Sequence, residues 1–189
     1  MNAIHLELCA SPEWAQYVRG DLLPWAMSEW ELGDNVLELG PGPGLSTDVL
    51  REHVERLTAL ELDEDLYRPL HDRLQGTNVS VIHGDATKSD LPSEQFSAVT
   101  CFTMLHHVPT AALQDALFAE AHRVLRPGGV FLGTDGTDTP EMRELHVDDI
   151  FNPVDPNTFA ERLTAAGFAG ITVDVREQGL RFAARRLTS

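Results

Sequence analysis

At 189 residues the chain is long enough for one α/β domain with a substantial buried core and too short for two domains of ordinary size. Its 30 acidic residues against 14 basic ones give a formal charge of -16, which repels a phosphate backbone over most of the surface and argues against nucleic acid as a partner, a local basic patch at Arg181 to Arg186 aside. Two cysteines, Cys9 and Cys101, stand in no redox or zinc spacing, which argues against a disulfide framework or thiolate metal site and leaves two buried free thiols.

The opening residues MNAIHLELCASPEW carry no basic stretch leading into an apolar core. Nowhere does the chain run apolar for the roughly 20 positions of a membrane span. A soluble, cytoplasmic protein with no membrane partner is expected. Ser11-Pro12-Glu13 is a helix start, with Ser11 as N-cap and Pro12 in the first turn. Trp14, Tyr17, Val18, Leu22 and Trp25 follow at helical spacing up to Pro24, where a kink or restart is expected. Residues 1–33 thus form an aromatic-rich helical addition. It either closes as a lid over a cleft, offering Trp14 and Tyr17 to a substrate, or packs on a sheet edge.

Asn35 to Gly44, NVLELGPGPG, organises the rest of a single domain spanning 1–189, whose core runs over 34–189. Val36, Leu37 and Leu39 read as a buried strand that ends in a Gly/Pro turn, and Leu45, Val49, Leu50 and Val54 read as the helix after it. Such a turn lets a ligand approach the backbone and offers free N–H groups. With Gly40 and Gly42 as the first two glycines of a dinucleotide fingerprint G-x-G-x-x-G, its sixth position is Leu45 rather than glycine, and no lysine stands in the loop for a Walker motif. Glu38, two residues before the first glycine, is a carboxylate at the loop mouth, better suited to a cation than to phosphates.

Leu57 to Leu62 is a second strand. It ends in Glu61, 19 residues after Gly42, the spacing at which an acidic residue accepts hydrogen bonds from ribose hydroxyls in nucleoside-binding α/β folds. Leu62 beside it can pack on a base. Asp63, Glu64 and Asp65 suit the first turn of a helix ended by Gly76. Val79 to His83 is a third strand running into Gly84-Asp85-Ala86, where Asp85 can equally make an Asx turn or helix cap.

Phe96 to Thr103 is a fourth strand, continued by Met104-Leu105-His106-His107-Val108-Pro109. Adjacent histidines share no face of a helix or strand, so a bidentate metal pair is a poor reading, and no metal is expected. One of them can face the cleft as a general base while the other packs, although a hydrogen-bonded packing role fits each as well. Thr110 caps a long helix with Leu113, Leu117, Ala121, Val124 and Leu125 on one face, closed by Arg126-Pro127-Gly128-Gly129. Val130 to Thr134 is a fifth strand. Thr137 to Pro156 is polar and reads as a loop across the cleft. Asp155-Pro156 starts a helix ending at Gly167, and Ile171–Val175 with Leu180–Ala184 form a hairpin across Gln178-Gly179.

The run Glu38-x-Gly40-x-Gly42-x-Gly44, followed by the acidic residues Glu61 and Asp85 and by HRVLRPGGVFL, resembles the class I S-adenosylmethionine (AdoMet) dependent methyltransferases. It is most similar to a small bacterial branch with LELGPGPG and MLHHVP motifs, over about residues 30 to 186. The resemblance implies a Rossmann-like three-layer α/β sandwich, with a seven-stranded, mostly parallel sheet whose last strand is antiparallel and an N-terminal helical lid. It implies that Glu38, Gly40, Pro41, Gly42 and Gly44 surround the methionine part of the cofactor, that Glu61 holds the ribose, and that Leu62, Asp85 and Ala86 hold the adenine. Phe102 and Thr103 would present backbone to the cofactor ammonium.

The expected reaction is methyl transfer from AdoMet to a small-molecule acceptor, leaving S-adenosylhomocysteine. His106 or His107 would act as base if the acceptor must lose a proton, with His146 and Asp149 on the acceptor side. No Asn-Pro-Pro-aromatic tetrad follows the fourth strand, which argues against amino groups of nucleic acids. No acidic metal ligand stands there either. A non-catalytic AdoMet-binding protein is the alternative, and a nicotinamide oxidoreductase is a weaker one, since Leu45 replaces the third glycine. The residues carry no statement of oligomeric state.

Overall fold

The computed structural model describes residues 2–177 and 179–188. Its elements are helices α1 (Ala3–Cys9), α2 (Pro12–Tyr17) and α3 (Leu23–Met27), strand β1 (Asn35–Leu39), α4 (Leu45–Leu50), β2 (Arg56–Glu61), α5 (Glu64–Leu74), β3 (Val79–His83) and β4 (Phe96–Phe102). There follow α6 (Ala111–Val124), β5 (Leu125–Gly136), α7 (Pro140–Leu145), α8 (Pro156–Ala165), β6 (Ala169–Arg176) and β7 (Gly179–Arg185).

The strands form one sheet in the order β3-β2-β1-β4-β5-β7-β6. The first five are parallel, and β7 runs antiparallel to both β5 and β6. This is the Rossmann-like seven-stranded arrangement expected of the chain. Strand order reverses direction between β1 and β4, so the loops leaving these neighbours turn to opposite faces and open a crevice at their carboxyl ends.

Alternation along the strands divides the core into two layers. Leu37, Leu39, Val99, Cys101 and Phe131 face α6 and α8 through Leu117, Phe118, Phe159 and Leu163. Val36, Leu57, Ala59, Ala98 and Leu132 face the other way, onto Leu22, Leu23, Leu50, Leu70 and Leu74. Most of these strands are buried on both faces, which is why they read as nearly continuous apolar runs.

Local chemistry accounts for most helix ends. Ser11, Asp63, Thr110 and Asp155 each accept a backbone N–H with their side chains, and Gly76 and Gly167 take positive φ just past α5 and α8.

Details of several elements differ from or sharpen the expectations. Within the helical stretch expected over 1–33, residues 3–9 form a helix of their own, whose Asn2 N-cap side chain accepts the His5 N–H. The restart expected at Pro24 is present: a π-helical turn over Val18–Leu22 follows α2, and α3 begins at Leu23 with the proline in its first turn, where no amide donor is required. β5 begins at Leu125 rather than Val130. Leu125 pairs with Phe96 before the register slips, and Val130 then pairs with Ala98, so Arg126 to Gly129 bulge out of the ladder. The polar stretch 137–156 contains α7, capped by Thr139. α4 is also short, ending at Leu50 and leaving Val54 in the following turn. The hairpin between β6 and β7 is present; Gln178 of its expected turn lies outside the described residues.

The N-terminal helices pack on the sheet. Val18, Leu22, Leu23 and Ala26 are buried in the sheet-facing core, while Trp14 reaches the crevice. The basic stretch 181–186 forms no open patch. Arg181 bonds Trp25 O at 2.7 Å and pairs with Asp174 and Glu29, and Arg186 donates to the carbonyls of His122, Arg123 and Leu125.

Candidate functional site

Loops at the carboxyl ends of β1, β2, β3 and β4 surround a cavity of about 530 Å³. Gly40, Gly42 and Gly44 have φ of 62°, 56° and 90°, the left-handed region that glycine enters without strain. Of the three, only Gly42 would present a Cβ to open space, and it lines the cavity. A side chain there would occupy volume that a ligand can otherwise share with the backbone.

Glu61 closes the loop from the end of β2. Its Oε2 accepts the Gly42 N–H at 2.9 Å and its Oε1 accepts the Asp63 N–H at 2.9 Å. Burial pushes its carboxyl up from the usual carboxylate range, against the pull of those two backbone donors. Each carboxylate oxygen has a second lone pair, so the group can still accept from a diol in the cavity.

Glu38 occupies a different place from the expected one. It is 1% exposed and does not line the cavity. It holds the N-terminus of α4 from beneath, accepting from the Ser46 hydroxyl and from Thr47 Oγ1 at 2.6 Å. Burial raises its pKa to about 7, opposed by the two hydroxyl donors. Gly44 also lies outside the lining, as the residue preceding α4.

Pro41, Leu62, Asp85, Ala86, Phe102 and Thr103 all line the cavity. Leu62 is 64% exposed, an apolar side chain at the cavity wall. Asp85 makes the Asx turn, its Oδ1 accepting from Thr87 N–H at 2.8 Å and Thr87 Oγ1 at 2.7 Å; it remains at the cavity wall. Thr103 adopts φ 49° with its N–H donated to Thr134 O at 2.8 Å. A left-handed conformation at a residue other than glycine is local strain of the kind concentrated at ligand sites.

Trp14, His107, Leu113, Asp149 and Ile150 also line the cavity. Tyr17 lies beside Trp14, with ring centroids 5.1 Å apart and planes tilted by 38°, but stays outside the lining. Cys9 is half-buried at the cavity wall rather than in the core, and burial pushes its thiol up to about 11. Cys101 is fully buried.

The histidines depart furthest from expectation. His106 and His107 were read as pointing apart, yet their ring centroids lie 4.2 Å from each other. They sit in a 3-10 turn (Leu105–His107) at the end of β4, and their rings meet through side-chain packing rather than through a shared helix face. His107 lines the cavity. His106 lies behind it, 1% exposed, with Nδ1 2.6 Å from Asp135 Oδ1. His146 is also behind the wall, 4% exposed, donating Nδ1–H to Met142 O at 2.6 Å. His5, from α1, completes the group, its ring 4.9 Å from His107 and 4.5 Å from His146.

Burial, reinforced by neighbouring imidazoles, lowers the pKa of His5 to about 4 and that of His107 to about 2. Burial also lowers His146. These three rings are neutral near pH 7. Asp149 accepts the Asn2 N–H at 2.7 Å and its Oδ2 lies 3.9 Å from His5 Nδ1.

His5 and Asp135 were not among the residues singled out from sequence. A hundred positions separate His5 from His106, so no spacing signal could connect them.

Residues 37–133 match the family model for the methyltransferase domain. A probable S-adenosylmethionine-dependent methyltransferase of Mycolicibacterium smegmatis is 31% identical over 148 residues, 72% of this chain and 52% of that protein. The ubiquinone biosynthesis O-methyltransferase of Xanthomonas oryzae pv. oryzae is 36% identical over 108 residues, covering 54% and 43%. A probable ribosomal RNA small subunit methyltransferase A of Pyrococcus furiosus is 32% identical over 111 residues, covering 53% and 41%. The chain spans about half the length of these curated relatives. Among solved structures, Haemonchus contortus phosphoethanolamine N-methyltransferase 2 in complex with S-adenosyl-L-methionine shares the fold, with a TM-score of 0.73 at 14% identity over 99% of this chain and 60% of that one.

Proposed function

The chain belongs to the S-adenosylmethionine-dependent methyltransferase family, and from that premise we propose that it transfers the AdoMet methyl group in line to a small organic acceptor. The observation that carries this reading is the one cavity whose lining brings Gly42, Glu61, Asp85 and Thr103 together with the apolar Trp14, Leu113 and Ile150. Its volume of about 530 Å³ falls in the range of small-molecule pockets, roughly 300–1,000 Å³. Gly42, whose missing side chain leaves open space, supports the fit of a cofactor against the loop backbone.

Gly40 and Gly42 would offer backbone to the amino-acid end, and the Thr103 backbone would face its ammonium. Glu61 would accept from the ribose hydroxyls, Asp85 from the adenine amino group, and the Ala86 N–H would meet a ring nitrogen, with Leu62 against the ring face. Glu38 would act from beneath, by holding α4 and hence the loop. When bound, the cofactor supplies an already activated sulfonium methyl, so the chain's task is alignment and exclusion of water.

At the acceptor end, Trp14, Ile150 and Leu113 would exclude water. Of the two histidines considered as base, His107 alone reaches the cavity. Its low basicity suits it to orienting an acceptor more than to removing a proton. His106 would act through its neighbours, as a positioning residue. Asp149 would border the acceptor, and His146 and Tyr17 would support that wall from outside the cavity.

A formal charge of -16 and the engagement of Arg181 and Arg186 within the fold favour a small acceptor over RNA. No described helix is long and apolar enough to cross a membrane, and both cysteines are free; a cytoplasmic setting fits both facts.

The test combines cofactor binding with turnover. S-adenosylhomocysteine should raise the melting temperature by several degrees near 100 times its Kd, NADH should not, and Glu61→Ala should weaken the cofactor tenfold or more. Release of S-adenosylhomocysteine with some member of a phenol, amine, thiol and carboxylate panel supports the proposal. Turnover on ribosomal RNA alone overturns the small-acceptor assignment, and cofactor binding without any turnover favours the non-catalytic alternative.

A further inference from the structure

Half of the chain's eight histidines meet at one place. His5, His106, His107 and His146 each offer a ligand atom, and these atoms all lie within 4.8 Å of one another. They come from three separate parts of the fold, namely α1, the turn after β4, and the residue following α7.

Buried imidazole nitrogens ordinarily find hydrogen-bond partners. Here His5 Nδ1, His106 Nε2, His107 Nε2 and His146 Nε2 are all buried without one. For two of the rings the tautomer is determined by what holds the opposite nitrogen. His146 Nδ1–H must donate to the Met142 carbonyl, and His106 Nδ1 faces the Asp135 carboxylate at 2.6 Å. Each therefore directs an Nε2 lone pair away from its anchor. Carboxylates and carbonyls behind an imidazole are the usual outer partners of metal-binding histidines, because they orient the ring and strengthen it as a donor. Asp135 is itself 2% exposed, with Oδ2 unpartnered, and a buried carboxylate calls for a positive charge nearby. A cation on the far side of the His106 ring supplies one.

We propose that His5, His106, His107 and His146 form a binding site for a divalent transition-metal cation of the zinc class, which clasps α1 and the end of α7 to the turn after β4.

An all-imidazole donor set suits zinc, copper, nickel or iron over magnesium or calcium, which take oxygen. Zinc bonds nitrogen at about 2.0–2.1 Å, so a tetrahedral ion places its ligands about 3.3 Å apart, and side-chain rotations of about 1.5 Å or less would draw these nitrogens to it. Four protein ligands close the coordination shell, as in structural sites. His107 is the ligand that also lines the cavity, so the clasp would set the shape of the acceptor end. The inference stands independently of the methyl-transfer reading, since it uses neither the glycine loop nor Glu61.

Protein stripped by chelator and dialysed should bind one zinc ion per chain with a micromolar or lower Kd. Its melting temperature should rise by several degrees, and amide exchange across Ala3–Cys9 should slow. Cobalt in place of zinc should produce the strong visible bands of a tetrahedral nitrogen-bound ion. His5→Ala and His146→Ala should each weaken binding at least tenfold and remove those bands, whereas His53→Ala, outside the cluster, should not.

Cooperative melting of each metal-free variant shows whether it folds. If a variant does not fold, zinc-edge X-ray absorption on the unsubstituted protein decides: scattering from about four imidazoles supports the site, and an oxygen-dominated shell overturns it. Absence of stoichiometric binding, or binding indifferent to both cluster substitutions, also overturns it.

Discussion

At the scale of single residues, Glu38 and Glu61 show how one side-chain type takes two roles. Both end up buried at the carboxyl ends of neighbouring strands. Glu61 reaches the loop backbone at the cavity wall, while Glu38 is enclosed beneath α4 with two hydroxyl donors. The raised pKa of Glu38 has a consequence for stability. The folded state holds its proton up to about pH 7, whereas the unfolded chain releases it near 4.5. Its stabilising contribution is therefore fully present below pH 4.5 and is lost as pH rises through 7, a swing on the order of 3 kcal/mol. Urea unfolding of Glu38→Gln between pH 4.5 and 7.5 should show a correspondingly shallower decline than the parent, with Glu61 supplying part of what remains. Parallel profiles would mean that Glu38 is ionised in the fold. The spacing from Gly42 made the Glu61 position legible in sequence. The enclosure of Glu38 was not, because it depends on Ser46 and Thr47 turning back over the strand end.

At the scale of elements, strand and helix types followed from local composition, and the departures have local causes. Asn2 begins α1 and Thr139 begins α7, each by accepting a backbone N–H within a stretch whose polar residues otherwise read as irregular. The slip in β5 places Val130 against Ala98 and brings Gly133 beside Cys101. A Cβ at Gly133 would collide with the Cys101 carbonyl oxygen in the adjacent strand. Backbone within a sheet interior cannot move aside as a flexible side chain does, so Gly133→Ala should cost about 3 kcal/mol or more. For a chain of this length that lowers the melting temperature by roughly 6–12 °C or prevents soluble expression. A melting temperature within 2 °C of the parent, in about the same buffer, would show that β4 and β5 separate more easily than their pairing implies.

At the scale of the whole molecule, the charge of -16 acts on every pair of surface groups at once. Local ion pairs such as Arg19–Glu52 and Arg56–Asp34 are exposed and contribute little each. The excess of acidic groups repels itself over longer distances. Raising sodium chloride from about 0.1 to 1 M shortens the screening length from about 10 Å to 3 Å and should raise the melting temperature by a few degrees. A fall instead would assign the larger share to the surface pairs. The same field acts on partners, opposing polyanions and favouring cations, which bears on both the acceptor and the histidine cluster.

What the residues determined by themselves was everything that depends on short-range pattern. The alternation of buried strands with helices, the glycine turn, and the acidic residues at strand ends are set by backbone sterics and periodicity within about 20 positions. The family to which the chain belongs was legible from that order. Tertiary structure alone decided which side chains share a space. It withdrew Glu38, His106, His146 and Tyr17 from the cavity, kept His107 and Asp149 at its wall, and brought His5 from the first turn of the chain against histidines more than a hundred residues away. Those proximities depend on how helices and loops pack around the ends of the sheet, and no spacing along the chain encodes them.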